Sequence, residues 1–108
     1  MAFEVDVTER ASQQIEEAYC WLAERNPVAA NRWFNGLMTA IYSLKDSQGR
    51  CARIPEQDNF PQEIRHLIYQ KKYRIIFLVQ DEEETVYVLA VRHTARKPLE
   101  SEDLEETL

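Results

Sequence analysis

Arginines and a histidine stand at fixed offsets inside apolar runs in the last third of the chain. Ile64-Arg65-His66-Leu67 is followed by Tyr73-Arg74-Ile75-Ile76-Phe77, then by Val88-Leu89-Ala90-Val91-Arg92-His93, with Arg96 just beyond. Successive strand residues point to opposite faces, so a charged group in such a run either ends a strand or lines an open face of a sheet. Cationic groups on a sheet suit a phosphate backbone or an acidic protein partner. Arg65, Arg74, His93 and Arg96 are therefore the candidate site residues.

Charge distribution decides whether that reading survives. The formal net charge is −6, from 19 acids and 13 bases, and basic domains are the usual nucleic-acid binders. Five of those acids, and no base, lie in the tail from Leu99 to Leu108, so the remaining body is nearly neutral, with its bases concentrated between Arg65 and Lys97. No apolar run reaches the roughly 20 residues of a membrane span, and the N-terminus lacks the basic and apolar regions of a signal peptide. The expected location is cytoplasmic, away from membranes. Cys20 and Cys51 have no CxxC spacing and are expected to be thiols. Together with His66 and His93 they form no recognised zinc pattern, and two glycines cannot build a glycine-rich phosphate loop. Neither metal nor cofactor is expected.

The elements that must position these residues follow from periodicity. Phe3, Val5 and Val7 alternate with polar residues, which predicts a half-buried strand. Thr8 is placed to cap a helix from about Glu9, with Ala11, Ile15, Ala18, Tyr19 and Leu22 on its apolar stripe. Asn26-Pro27 ends that helix and begins another, to about Lys45, with Ala30, Trp33, Phe34, Leu37, Ile41 and Leu44 inward. So short a connection makes an antiparallel hairpin. Asp46 to Phe60 reads as a loop that could approach a ligand. Glu63–Tyr69, Tyr73–Gln80 and Thr85–His93 read as an antiparallel three-stranded meander joined by turns at Gln70-Lys71-Lys72 and Asp81–Glu84. The fold class is α+β, with a helix hairpin on one face of a small sheet. Residues 1–98 form one domain and residues 99–108 an acidic C-terminal tail.

These motifs, in this order, with Asn26-Pro27-Val28-Ala29-Ala30 between the helices and Thr94-Ala95-Arg96 after the last strand, resemble the RelE/ParE superfamily of bacterial type II toxin–antitoxin (plasmid stabilisation) toxins. The likeness covers residues 3–97. It implies a microbial-RNase-like sheet with a helix hairpin on one side and a basic cleft on the other, neutralised by a cognate antitoxin. A homodimer is left open.

The resemblance offers two mechanisms. A RelE-like toxin cuts mRNA in the ribosome through attack of a ribose 2′-hydroxyl on phosphorus, which needs an acid, a base and cations. Arg74 then matches the arginine after the strand tyrosine, Arg65 a basic residue one strand earlier, and His93 with Arg96 the basic end of the last strand. His93 would exchange the proton while the arginines hold the phosphate oxygens. Leu67 stands where RelE has a second lysine, and Glu100 about where its C-terminal tyrosine falls. A ParE-like toxin blocks DNA gyrase without bond chemistry, and the long hairpin and the Val91-Arg92-His93 strand end favour this branch. A third outcome is an inactive toxin-fold binding module.

Plainer readings stand beside these. Arg65 and Arg74 could be surface arginines paired with Glu63 or the tail, His93 a strand-ending residue, and His66 structural on the face opposite Arg65. Tyr19, Trp21, Trp33, Phe34 and Tyr42 are expected in the core or an interface, not as base-stacking platforms. The tail is expected to be solvated and disordered. Its alternative is a short acidic element, capped by Ser101 and carrying Leu104 and Leu108, laid against the basic strands.

Overall fold

Thr8 joins the first strand to the first helix. In the computed structural model, which describes residues 3–96 and 98–104, its hydroxyl accepts the Ala11 amide and donates to the Val88 carbonyl at 2.8 Å. One side chain thus caps a helix and moors it to the sheet. Strand β1 spans Glu4–Val7 and helix α1 Glu9–Arg25. Asn26 accepts the Ala29 amide and Pro27 takes the first helical position, so α2, Pro27–Tyr42, follows with only the cap between. The expected run to Lys45 is interrupted at Ser43, whose hydroxyl bonds the Ala40 carbonyl at 2.6 Å, and α3, Leu44–Ser47, resumes it.

The remaining strands are β2 (Ala52–Arg53), β3 (Arg65–Tyr69), β4 (Tyr73–Gln80) and β5 (Thr85–His93), in a single sheet of order β1-β5-β4-β3-β2. The meander is antiparallel throughout, whereas β1 runs parallel to β5 because the helix hairpin carries the chain across one face before it returns. β2 was not expected; two residues are too few to show alternation. The turn after β3 places Gln70 and Lys71 at φ 52° and 63°, the left-handed pair that tight hairpins need, without recruiting a glycine.

Ala11, Ile15, Trp33, Leu37 and Ile41 pack on Ile75, Phe77, Val86 and Val88 to form the main core. Phe34, expected inward, is partly exposed and meets Tyr19 edge-on at 5.8 Å. The opposite sheet face, expected to be open, is covered: Ile54, Phe60, Ile64, Leu99 and Leu104 lie over Ile76, Leu89 and Ala90. A bulge makes this second layer wider. Ile76 pairs with Ala90 but Phe77 with Val88, so Leu89 is the extra residue and it joins Ala90 on the same face.

The tail therefore departs from the expected disorder over residues 99–104. Leu99 and Leu104 are fully buried and Ser101–Asp103 makes a single 3-10 turn. Burying two leucines offsets the entropy of ordering the segment that carries them. Lys97, Glu105, Glu106, Leu108 and the side chain of Ser101, on which its expected capping role rests, lie outside the described residues.

Tyr69 ties the sheet to α2. Its hydroxyl donates to the Trp33 carbonyl at 3.0 Å and crosses Gly36 so closely that a Cβ there would overlap the phenol oxygen. Gly36→Ala gains helix propensity of about 1 kcal/mol against an overpacking cost of about 1–3 kcal/mol. Because the ring is held at both ends, the cost prevails: the melting temperature should fall by several degrees, and Tyr69→Phe in the same chain should recover part of the loss.

Candidate functional site

β4 and β5 place Arg74 and Arg92 side by side, since the two are register partners, and both point into the second layer with Ile76 and Ala90. Arg74 is held by a bidentate pair: its two terminal nitrogens each lie 2.8 Å from an oxygen of Glu56. Its Nε donates to His66 Nδ1 at 3.2 Å. Arg92 is almost fully buried and lies 3.4 Å from the carboxylate of Asp103. His66, Arg74 and Arg92 thus form a row across three strands, cationic at its two arginines and roofed by two carboxylates.

The loop that supplies Glu56 is shaped by Gln57, whose amide nitrogen donates to the Gln62 carbonyl at 2.5 Å and whose oxygen accepts the Ile64 amide at 2.8 Å. The hydrogen bonds from Arg74, reinforced by the Leu99 amide and opposed by burial, lower the Glu56 carboxyl to about 2. Burial and then the Arg74 charge push His66 down, so its ring is neutral. An arginine N–H can only donate, which makes Nδ1 of His66 the acceptor and leaves the ring proton on Nε2. Burial lowers Arg92 as well, and Asp103 opposes that shift.

The four sequence-predicted residues do not share one face. Arg65 is the register partner of Phe77 and stands on the helix side, where it reaches the Cys51 carbonyl and lies 3.4 Å from Glu63. Arg74 is on the other side. His93 ends β5 opposite Tyr73, with ring centroids 5.3 Å apart, and its Nδ1 accepts the Ala95 amide at 3.0 Å. Arg96 follows in the adjoining turn. These last two, both exposed, border a cleft of about 320 Å³ with Gln14, Glu17, Trp21 and Tyr73. The premise of one basic constellation is corrected on this geometry: alternation along β3 and β4 sends Arg65 and Arg74 apart.

Sequence reasoning missed Arg92, Glu56 and Asp103 as partners of the row, and Trp21 and Tyr73 as walls of the cleft. Hairpin length alone would pair Arg74 with Val91; the bulge at Leu89 shifts its partner to Arg92, and no sequence signal marked that bulge. Glu56 lies in a loop without periodicity and gave no signal. A second surface lies between α1 and α2, an apolar groove of about 630 Å³ lined by Ile15, Tyr19, Phe34, Met38 and Tyr42. Among the described residues no three His, Cys, Asp or Glu side chains come together as metal ligands would, and both cysteines are free thiols. No helix among them is long and apolar enough to cross a membrane.

Residues 5–98 match the profile of the ParE toxin of type II toxin–antitoxin systems, parDE. Among solved structures, the chromosomal ParDE toxin–antitoxin system of P. aeruginosa is similar at TM-score 0.70 and 15% identity, over 85% of this chain and 96% of that one. The toxin–antitoxin complex RelBE2 of Mycobacterium tuberculosis is similar at TM-score 0.61 and 18% identity, over 89% and 95%. The isolated RelE toxin of E. coli is similar at TM-score 0.54 and 21% identity, over 99% and 100%. At these identities the likeness is one of fold. No curated protein sequence matches.

The Glu56–Arg74 pair has a measurable acid signature. A carboxyl lowered from 4.5 to about 2 on folding stabilises the protein above its unfolded value and loses that contribution as pH falls toward 2. Unfolding measured from pH 7 to pH 2 should show a loss of about 3 kcal/mol beginning below about pH 5. Glu56→Gln, which strands a buried guanidinium, should cost about 3 kcal/mol at pH 7 and flatten this acid limb.

Proposed function

The chain belongs to the ParE toxin family of type II toxin–antitoxin systems, and on that premise we propose that it arrests growth by binding DNA gyrase and is neutralised by a cognate antitoxin. One observation carries the choice of binding over RNA cleavage: the groups that would perform acid–base chemistry are already engaged or separated. Arg74 is neutralised by Glu56, and Arg65 faces the other way. His66 spends its Nδ1 as an acceptor from Arg74, and His93 Nδ1 accepts the Ala95 amide, so the δ nitrogen of each ring is already engaged.

The cleft at the end of β5 supports the binding reading. It brings an exposed histidine and arginine against Trp21 and Tyr73, the residue types that dominate protein interfaces. His93 and Arg96 are the target-contacting residues, Arg65 adds charge at a distance, and Arg74 acts through the fold. The apolar groove between α1 and α2 suits one face of an amphipathic antitoxin segment.

Induced expression in a bacterial host, with growth, DNA-damage response and mRNA integrity read in parallel, tests the proposal. Arrest with the damage response and intact mRNA is expected, relieved by co-expression of the antitoxin. Replacing His93 and Arg96 together by alanine should weaken gyrase binding by about 30-fold with an unchanged melting temperature. Cleavage of mRNA at ribosomal A sites would replace this reading with the ribonuclease, and absence of arrest with an inert module.

A further inference from the structure

The second face of the sheet carries both an apolar floor and a cationic row, and the chain's own C-terminal segment lies on both. Leu99 and Leu104 pack with Ile76, Leu89 and Ala90, while Asp103 sets its carboxylate 3.4 Å from Arg92. The segment's backbone is held from three sides. Glu56 accepts the Leu99 amide at 2.7 Å, Asn59 donates to the Leu99 carbonyl at 3.0 Å, and Arg10 donates to the Asp103 carbonyl. Within the segment, Asp103 also accepts the Glu100 amide at 2.8 Å.

We propose that this face is a docking surface for an acidic peptide carrying two leucines, with residues 99–104 as its intramolecular occupant. The surface recognises a pattern and not a fold: leucine, four residues on to an aspartate, then leucine. Each part of the pattern meets a feature of the sheet. The bulge that turns Leu89 and Ala90 to one side widens the floor for the leucines, and the register of Arg74 with Arg92 sets two guanidinium groups a strand spacing apart for carboxylates. Glu56 already fills one of these positions from within, so an incoming peptide meets Arg92 and the floor and takes its backbone bonds from Glu56 and Asn59.

Charge and shape favour a peptide over a nucleic acid. A phosphodiester chain would leave the leucine sites empty while adding charge to a chain of net −6. The occupant is also exchangeable. It is short, and its acidic residue is partly exposed, features of the low-stability end of a native structure. Being tethered, it competes with any partner at a high effective concentration, so the intact chain should bind a free peptide weakly. The gyrase-directed cleft at the end of β5 shares Arg92 with this surface, but the leucine floor is separate from it, and this inference does not depend on gyrase binding.

The test uses the full chain and a fluorescent synthetic peptide with the sequence of residues 98–108. Leu104→Ala loosens the occupant without touching the floor or the row. By anisotropy this variant should bind the peptide at least about 10-fold more tightly than the unmodified chain, and added salt should weaken the complex. A peptide with Leu99 and Leu104 replaced by serine, or with lysine for Asp103, should not bind. Equal binding by variant and unmodified chain, or equal binding of the serine peptide, would overturn the proposal, as would displacement by an oligoribonucleotide but not by unlabelled peptide. Should Leu104→Ala fail to fold by circular dichroism, hydrogen exchange on the unmodified chain decides. The Leu99 and Asp103 amides are expected to exchange well before those of Ile76 and Leu89; exchange only with global unfolding would overturn it.

Discussion

A guanidinium embedded in a central strand has to be answered by a carboxylate, and most of the second layer follows from how Arg74 is answered. Its register partner Arg92 is a second cation on the same face, so the sheet carries one buried and one largely covered positive charge a strand apart. Leaving either unpaired costs several kcal/mol, roughly 3–5. Glu56 closes on Arg74 from the loop before β3, and Asp103 approaches Arg92 from beyond β5. Glu56 also takes the Leu99 amide, which links the two answers. A loop and a tail without regular structure are thus ordered by the charges of the strands they cover.

The same pairing limits what the face can do. A cation held bidentately by a carboxylate has a weakened field for phosphate, and a neutral histidine whose Nδ1 accepts from that cation cannot take a proton there. Chemistry on this face would first have to dismantle the structure that holds it. The end of β5 has no such constraint. His93 and Arg96, both exposed, stand beside Trp21 and Tyr73, so contacts there leave the core intact.

Periodic elements were legible and non-periodic ones were not. Thr8 and Asn26-Pro27 mark helix starts through local backbone bonding, and β4 and β5 begin and end with their apolar runs. Both kinds of signal depend on residues close in sequence. Glu56 and Arg74 are 18 positions apart with a strand and a turn between, and no local pattern encodes their meeting. The tail was misread for a related reason: its composition is that of solvated chain, and only the sheet's bulge and the buried Arg92 make its leucines and aspartate worth ordering. The site residues were recognised by type, but their division between two faces needed the register.

The acidic balance of the chain acquires a structural meaning from this. Part of it neutralises buried strand cations, as Glu56 and Asp103 do, and part tempers exposed ones, as Glu63 does between Arg53 and Arg65. Net charge alone would class the molecule as a poor binder of anything anionic. Local accounting reverses this at one edge, where His93 and Arg96 share a cleft with a single carboxylate, Glu17, among the residues named there. Since charges beyond about 10 Å are largely screened at 0.1 M salt, a partner approaching that edge responds to this cleft and not to the total of −6. An overall acidic protein can therefore present a locally cationic, aromatic-walled contact where the nearest buried cations are answered by carboxylates of their own.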